Sequence, residues 1–347
     1  MKSEKRVNFG KRKAVLSMAL FVVLVSLSIG TASAVTQYYV HPGESIQDAI
    51  DAANSSDSIE VYSGTYYETV NVNKQLVLRG VDTGEGKPIV DAGGAGSAII
   101  LCADGIVLDG FEVTNAGTGS GSSISQDGSR ATVTLPDSAE AGIKVISNGN
   151  NIKHNDVINN NWYGIDLHES SNNSIEDNNV SNNNWYGINL ESSRNNTISN
   201  CTASNNEGGI ILFCSNSNTI TGNAESNNNG GILITANSSD NVIAGNTVRG
   251  NLWYGILLRV SNNNVITGND FISNTTNVHS ANSANFWNST EPLTYQYNNT
   301  TFTSYIGNFW SNYKGPDADG DGLGDTPYVI DSDEDHHPLM SRFENYS

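Results

Sequence analysis

Basic residues are scarce in this chain. Seventeen Lys and Arg stand against 36 Asp and Glu, for a formal charge of −19. A surface this acidic repels nucleic acid and anionic lipid headgroups and attracts cations, so no nucleic-acid partner is expected. Cysteine is scarce too, with three residues, Cys102, Cys201 and Cys214. An odd count argues against a disulfide framework, and their apolar surroundings predict buried free thiols. A Cys201–Cys214 bridge is not indicated by spacing. Methionine beyond residue 34 is limited to Met340. No stretch has helical periodicity of ordinary length, and one long apolar run exists, Ala14 to Ile29.

That apolar run follows Lys2, Lys5, Arg6, Lys11, Arg12 and Lys13, and precedes Ala32-Ser33-Ala34. Positive segment, short apolar core and A-x-A site together predict an export signal over residues 1–34. The run is short for a membrane span. An extracellular or cell-surface location follows as the expectation, with no integral span once the signal is removed. Export also exposes the many N-x-S/T sequons, such as Asn172, Asn195 and Asn237, to glycosylation.

Asparagine, serine and glycine are abundant, and they recur with a period. Gly142-Ile143, Gly164-Ile165, Gly187-Ile188, Gly209-Ile210, Gly231-Ile232 and Gly255-Ile256 fall 22, 23, 22, 22 and 24 residues apart. A second series keeps step: Ile152, Ile175, Ile198, Ile220, Ile243 and Ile266. Such regularity means stacked copies of one supersecondary unit. Each copy holds short alternating runs such as Ile165-Asp166-Leu167, the signature of half-buried strands. Between them lie residues that tolerate left-handed backbone. The predicted fold is all-β: a parallel β-helix with coils about 4.8 Å apart. Ile residues form internal columns, and Asn155, Asn178, Asn223, Asn246 and Asn269 form an amide ladder. Cys201 replaces Asn in the third coil. Glu225 falls where neighbouring coils have Val157, Val180, Ala203 and Val248, so a register slip that puts Ala224 inward is expected there.

Four regions are expected: the signal over 1–34, an N-terminal cap with irregular coils over 35–97, the repeats over 98–280, and a C-terminal cap over 281–347. Glu44 to Ala53 places Ile46, Ile50 and Ala53 on one helical face and predicts a helix that covers the open end of the first coil. Residues 117–139, rich in Gly and Ser, read as a loop inserted between coils. The aromatics from Phe286 to Tyr313 predict closure of the far end.

Several stretches resemble a known family. Gly43-Glu44-Ser45-Ile46-Gln47-Asp48-Ala49-Ile50, Gly64-Thr65-Tyr66 and Leu78-Arg79-Gly80 are similar to the opening of many right-handed β-helix surface proteins. Gly307-Asn308-Phe309-Trp310-Ser311-Asn312-Tyr313, Asp317 to Tyr328, and His337-Pro338-Leu339-Met340 resemble the C-terminal signature of the NosD-like family, in its archaeal cell-surface versions. The resemblance implies a right-handed, three-faced, pectin-lyase-like β-helix. It also implies copper binding, since the family is labelled periplasmic copper-binding. Its repeats are shared with carbohydrate-binding and sugar-hydrolysing β-helices. Copper needs Met, Cys or clustered His, and here only His336 and His337 are adjacent.

Three sites are candidates for chemistry. Asp317, Asp319 and Asp321, then Gly322, the Leu323 carbonyl and Asp325, match positions of a calcium loop. Tyr328 stands where a bidentate Glu is required, and Asp331, Asp333 or Asp335 is the expected substitute. Second, Trp162-Tyr163, Trp185-Tyr186 and Trp253-Tyr254 each precede a Gly-Ile pair. Trp162 and Trp185 should stack about 5 Å apart, either as a sugar-binding surface or as a corner column that stabilises the coil. Third, outward positions place Asp166, His168, Glu169 and Glu191 on one face. Paired carboxylates are what glycoside hydrolysis requires, and a lyase would draw its base from Lys144, Lys153 or Arg194. The expectation is a surface protein that binds a polysaccharide or cell-envelope partner without catalysis and carries a structural Ca²⁺. A polysaccharide hydrolase or lyase, and copper binding, are the alternatives.

Overall fold

Each coil turns three corners, and asparagine is prominent at them. His154, Asn159, Glu169 and Asn172 in one coil, and Asp177, Asn182, Ser192 and Asn195 in the next, all have φ between 47° and 59°. Asn adopts this left-handed geometry at less cost than most residues. Between corners the chain is extended for three to six residues. In this computed structural model the segments stack into three parallel sheets, which describes residues 4–6, 35–117, 123–127, 130–134, 140–331 and 333–346. Of 4–6, 123–127 and 130–134, only the backbone is described. The proposed signal at 1–34 otherwise lies outside the described residues.

Sheet 1 runs from Gln37–Val40 to Val265–Thr267, with Glu4–Arg6 paired on its first edge. Sheet 2 runs from Thr65–Tyr67 to Phe309–Trp310, and sheet 3 from Val70–Val72 to Thr276–Ala281. The result is a right-handed parallel β-helix of about 10 turns. The sheets cross residue 97 without a break. The expected isoleucine column is in register: Ile152, Ile175, Ile198, Ile220, Ile243 and Ile266 are consecutive Cα partners, all fully buried.

The Gly-Ile repeat has a steric cause. Both residues of each pair face inward at the corner where sheet 2 passes to sheet 3. A Cβ at Gly187 would lie 2.7 Å from the carbonyl of Gly209 in the next coil, and one at Gly164 would overlap Val180. Glycine is required there by close approach.

Among the described residues three asparagine ladders run along the coils, and the expected Asn155 series is one of them. One runs through Asn150, Asn173, Asn196, Asn218, Asn241 and Asn264. Another links Asn155 to Asn178 and Asn223 to Asn246, Asn269 and Asn308. The third includes Asn160, Asn183 and Asn206. At each step Nδ2 donates to the next Oδ1, and that oxygen also accepts the backbone amide, as for Asn155 and Asn178 at 3.0 and 2.9 Å. Cys201 interrupts the second ladder, with Asn178 Nδ2 3.9 Å from its Sγ. The thiols are free. Cys201 is buried as expected, Cys102 is half-buried, and Cys214 is exposed at a corner with φ 50°, contrary to expectation.

The register slip does not occur. Ala203, Glu225 and Val248 are consecutive partners, so Glu225 points into the core. It is fully buried and neither carboxylate oxygen has a hydrogen-bond partner. Burial drives its pKa well above the ordinary carboxylate value. Continuity of the ladder on both sides outweighs the carboxyl, because a one-residue slip would turn the whole strand over. The small Ala203 and Gly209 leave room for it.

The capping helix spans Ile46–Ala52 and buries Ile46, Ala49 and Ile50. Ser45 is its N-cap, and Glu68 accepts the amides of Ile46 and Gln47 at 2.8 and 3.2 Å. At the other end Phe271, Trp310 and Tyr328 stack at 4.6 and 4.5 Å, which extends the inner column of sheet 2 beyond the last coil. Asp335 is buried there and accepts from Asn308 N, Trp310 Nε1 and His337 N. Of the insertion, Ser123–Asp127 and Arg130–Thr134 pair antiparallel, Gly117 N donates to the Gly96 carbonyl, and the rest lies outside the described residues.

Candidate functional site: an outer groove on sheet 3

Sheet 3 has the longest strands, and three outward columns run along it. The first reads Tyr163, Tyr186, Gly208, Gly230 and Tyr254. The second reads Lys144, Asp166, Asn189, Ile211, Leu233, Leu257 and His279. The third reads His168, Glu191, Phe213, Thr235 and Arg259.

The first half of this face is polar. Asn189 Nδ2 donates to Asp166 Oδ1 at 2.8 Å. Asp166 is buried although it lies on an outward column, and its pKa is pushed up to about 6, chiefly by burial. The Asn189 hydrogen bond, Lys144 and His168 oppose that shift, and Glu191 adds to it. His168 Nδ1 is 3.6 Å from Glu191 Oε2. The structure therefore brings Asp166, His168 and Glu191 together, with Asn189 as a member that the sequence pattern missed. Glu169 sits exposed at the corner. Lys144 shares the face; Lys153 belongs to sheet 1, and Arg194 to the corner between sheets 3 and 1.

The second half is apolar. Tyr163, Tyr186, Ile211, Leu233, Leu257 and Phe213 line a groove of about 600 Å³, with Asn189, Glu191, Thr235 and Arg259 on its walls. Two shortened corners open it, because Glu207-Gly208 and Asn229-Gly230 replace Trp-Tyr in consecutive coils.

The Trp-Tyr pairs divide. Trp162 and Trp185 stack at 5.1 Å with planes 5° apart, as expected. Both are buried, and so is Tyr163, in a cluster with Ala141. Their faces are spent on each other and do not form an exposed sugar platform. Tyr186 is half-buried and lines the groove. Trp253 is 55% exposed, and Tyr254 stacks on His279 at 5.6 Å.

In the tail, carboxylate oxygens of Asp317, Asp319 and Asp321 lie within 4.8 Å of one another. Asp317 accepts from Gly320 N and Gly322 N, and Asp321 from Leu323 N. Burial, then the neighbouring Asp319, Asp317 and Asp325, raise the Asp321 pKa. Asp325 turns to the Ala318 amide at 2.8 Å and stands apart from the triad. Leu323 is buried against the closing segment. The expected substitute ligands are engaged elsewhere: Asp331 with Ser280 N, Asp333 with Trp287 Nε1, and Asp335 with Trp310 Nε1.

The family comparison can now be stated. The family of the periplasmic copper-binding protein NosD matches residues 102–315, more than half of the chain. The chain belongs to the NosD family. Among curated proteins no sequence matches. Among solved structures, this NosD-family chain is similar to the enzymatically active domain of tailspike protein 2 of bacteriophage CBA120, at 17% identity and a TM-score of 0.54. That match covers 69% of this chain and 39% of the tailspike. The Dettilon tailspike protein matches at 16% and 0.50, over 71% of this chain and 59% of its own. Pectate lyase Pel9A matches at 16% and 0.48, over 71% and 78%. At these identities the likeness is one of fold. The chain thus spans well under two thirds of either tailspike chain.

Copper, which the family's description implies, does not fit the donors present. Among the described residues the one convergent group of three or more His, Cys, Asp and Glu side chains is the Asp317–Asp319–Asp321 triad, all hard oxygen. His337 stacks on Tyr305 at 5.6 Å, whereas His336 lies 3.8 Å from Glu334. The triad suits Ca²⁺.

Proposed function

We propose that this NosD-family β-helix is an exported protein that binds a polysaccharide segment in the sheet 3 groove without cleaving it. The groove carries the reading: an open, elongated depression with a tyrosine at one end, an apolar floor and amide and charged groups on the walls. Such a surface holds a chain-like ligand by apolar faces and orients it by a few polar contacts. Export is supported by the signal-like residues 1–34 and the family's description as periplasmic. Among the described residues no helix is long and apolar enough to cross a membrane. The Asp317–Asp321 loop would hold a structural Ca²⁺, with carboxylates of Asp317, Asp319 and Asp321 as its ligands. A glycan array probed with the full chain tests the binding reading. Retention of a polysaccharide, lost at least ten-fold in Tyr186→Ala, is the expected outcome; no retention on any glycan would refute it.

One observation favours a second reading, polysaccharide cleavage. Asp166 is held protonated to higher pH than an ordinary carboxyl, beside Glu191. A raised acid next to a carboxylate is the division of labour in glycoside hydrolysis. Release of reducing ends or unsaturated uronates that disappears in both Asp166→Asn and Glu191→Gln would replace the binding reading by this one.

A further inference from the structure

The floor of the groove narrows the class of glycan. This step rests on the reading that the groove binds polysaccharide. Ile211, Leu233 and Leu257 stand side by side on one outward column of three successive strands. Outward positions on a solvated sheet are ordinarily polar. Here the adjacent column offers glycine instead. A Cβ at Gly230 would lie 2.7 Å from Leu233 Cδ1, and one at Gly208 would lie 3.1 Å from Ile211 Cδ1. The side chains of Ile211 and Leu233 therefore lie down over bare backbone, and Ile211 is 4% exposed, whereas Leu257 has Tyr254 in the adjacent column. Over the Ile211 and Leu233 coils the floor is a low bed of methyl groups.

Charge disfavours one class of occupant. The walls carry one Glu191 and one Arg259, and they balance. The whole chain is at −19, with no basic cluster in the groove to offset it. The acidic surface as a whole disfavours the approach of a polyuronate. A fully hydroxylated neutral sugar can rest only a C–H face on Ile211, Leu233 and Leu257, whereas acetyl or methyl substituents bury more apolar area there. We infer that the groove takes an uncharged glycan segment that bears acetyl or methyl groups, seated on Ile211, Leu233 and Leu257. Tyr186 closes one end and Arg259 the other. Their strands are three spacings apart, about 14 Å, so the segment is a few sugar units long.

Titration calorimetry of the full chain tests this. The probes are O-acetylated glucomannan, the same material after alkaline deacetylation, and polygalacturonate. Acetylated glucomannan should bind at least ten-fold more tightly than the deacetylated form, and polygalacturonate more weakly than either. Leu233→Asn should abolish the preference for acetyl, and Leu233→Ile should retain it. Circular dichroism melts of both variants establish that the coil is intact, as the outward position predicts. Equal binding of the acetylated and deacetylated forms would overturn the inference and leave the polysaccharide reading standing. So would preference for polygalacturonate. Binding of none of the three would overturn the inference, and together with no retention on the glycan array it would overturn the polysaccharide reading too.

Discussion

At the scale of single residues, Glu225 is the chain's clearest departure from its own pattern. Neighbouring coils place Val180, Ala203 and Val248 in its column. A buried carboxyl without partners destabilises the fold, the more so when ionised. The sign with pH follows from its raised pKa. In the unfolded chain the group titrates near 4.5, and in the folded chain well above that. Its contribution to stability is therefore fully present below about pH 4.5 and is lost as pH rises through the folded pKa. Glu225→Val should raise the melting temperature at pH 7 by several degrees, for a gain of roughly 2 kcal/mol. It should also flatten the decline of stability above pH 4.5. Melts from pH 4 to pH 8 check both; no gain at pH 7 would mean that the carboxyl is solvated or paired. Nothing local in the sequence marks Glu225 as inward. The composition rule favours a slip, and only pairing on both sides of the strand decides otherwise.

The corner is the element on which the solenoid depends, and its ladders are close to complete. Cys201 is the gap in the ladder between sheets 1 and 2. Its amide still donates to Asn223 Oδ1 at 2.8 Å, but its thiol gives Asn178 only a weak acceptor at 3.9 Å. Cys201→Asn restores an amide to the column and should stabilise by about 1 kcal/mol, read as a shifted urea midpoint with unchanged slope. An unchanged or lowered midpoint would show that sulfur packing at this site matters more than the hydrogen bond. Gly187→Ala gives the opposite result. Its Cβ would lie 2.7 Å from a backbone carbonyl, and overpacking of this kind costs about 1–3 kcal/mol. The Asn155 ladder was legible because its asparagines recur at the repeat period. The other two carry the same periodicity in the sequence. They are told apart from ordinary polar loop residues only by knowing that each corner is tight and buried.

For the molecule as a whole, both ends are closed by different means, and the far end is where a cation would act. Tyr295 OH donates to the Asp321 carbonyl at 3.0 Å, Tyr346 OH donates to the Gly322 carbonyl, and Gly322 lies under the Tyr297 ring. The acidic loop is thus fastened to the aromatic cluster of the cap. Ca²⁺ bound by Asp317, Asp319 and Asp321 would relieve their repulsion and tighten the cap. Millimolar Ca²⁺ should raise the melting temperature by a few degrees, and chelator should reverse the rise. Asp319→Asn with Asp321→Asn should remove the response. Identical melts with Ca²⁺ and with chelator would dismiss the site. At this scale the candidate groove was partly legible. Outward Asp166, His168, Glu191, Ile211 and Leu233 follow from strand alternation alone. The pocket they form does not, because it depends on two corners that are one residue short.

The sequence by itself determined the period, the parallel stack, the inward isoleucines, the helical cap and the acidic loop. Each of these is written in spacing or local composition, and local geometry leaves few alternatives. The tertiary structure decided which outward residues meet. It buried Trp162 and Trp185 against each other, turned Glu225 inward and paired Asp166 with Asn189. It also laid Ile211 and Leu233 over Gly208 and Gly230. The contacts of Ile211 and Leu233 lie within one strand, and the other features arise between coils, from residues about 22 positions apart. There the register of a whole strand outweighs the preference of any one side chain.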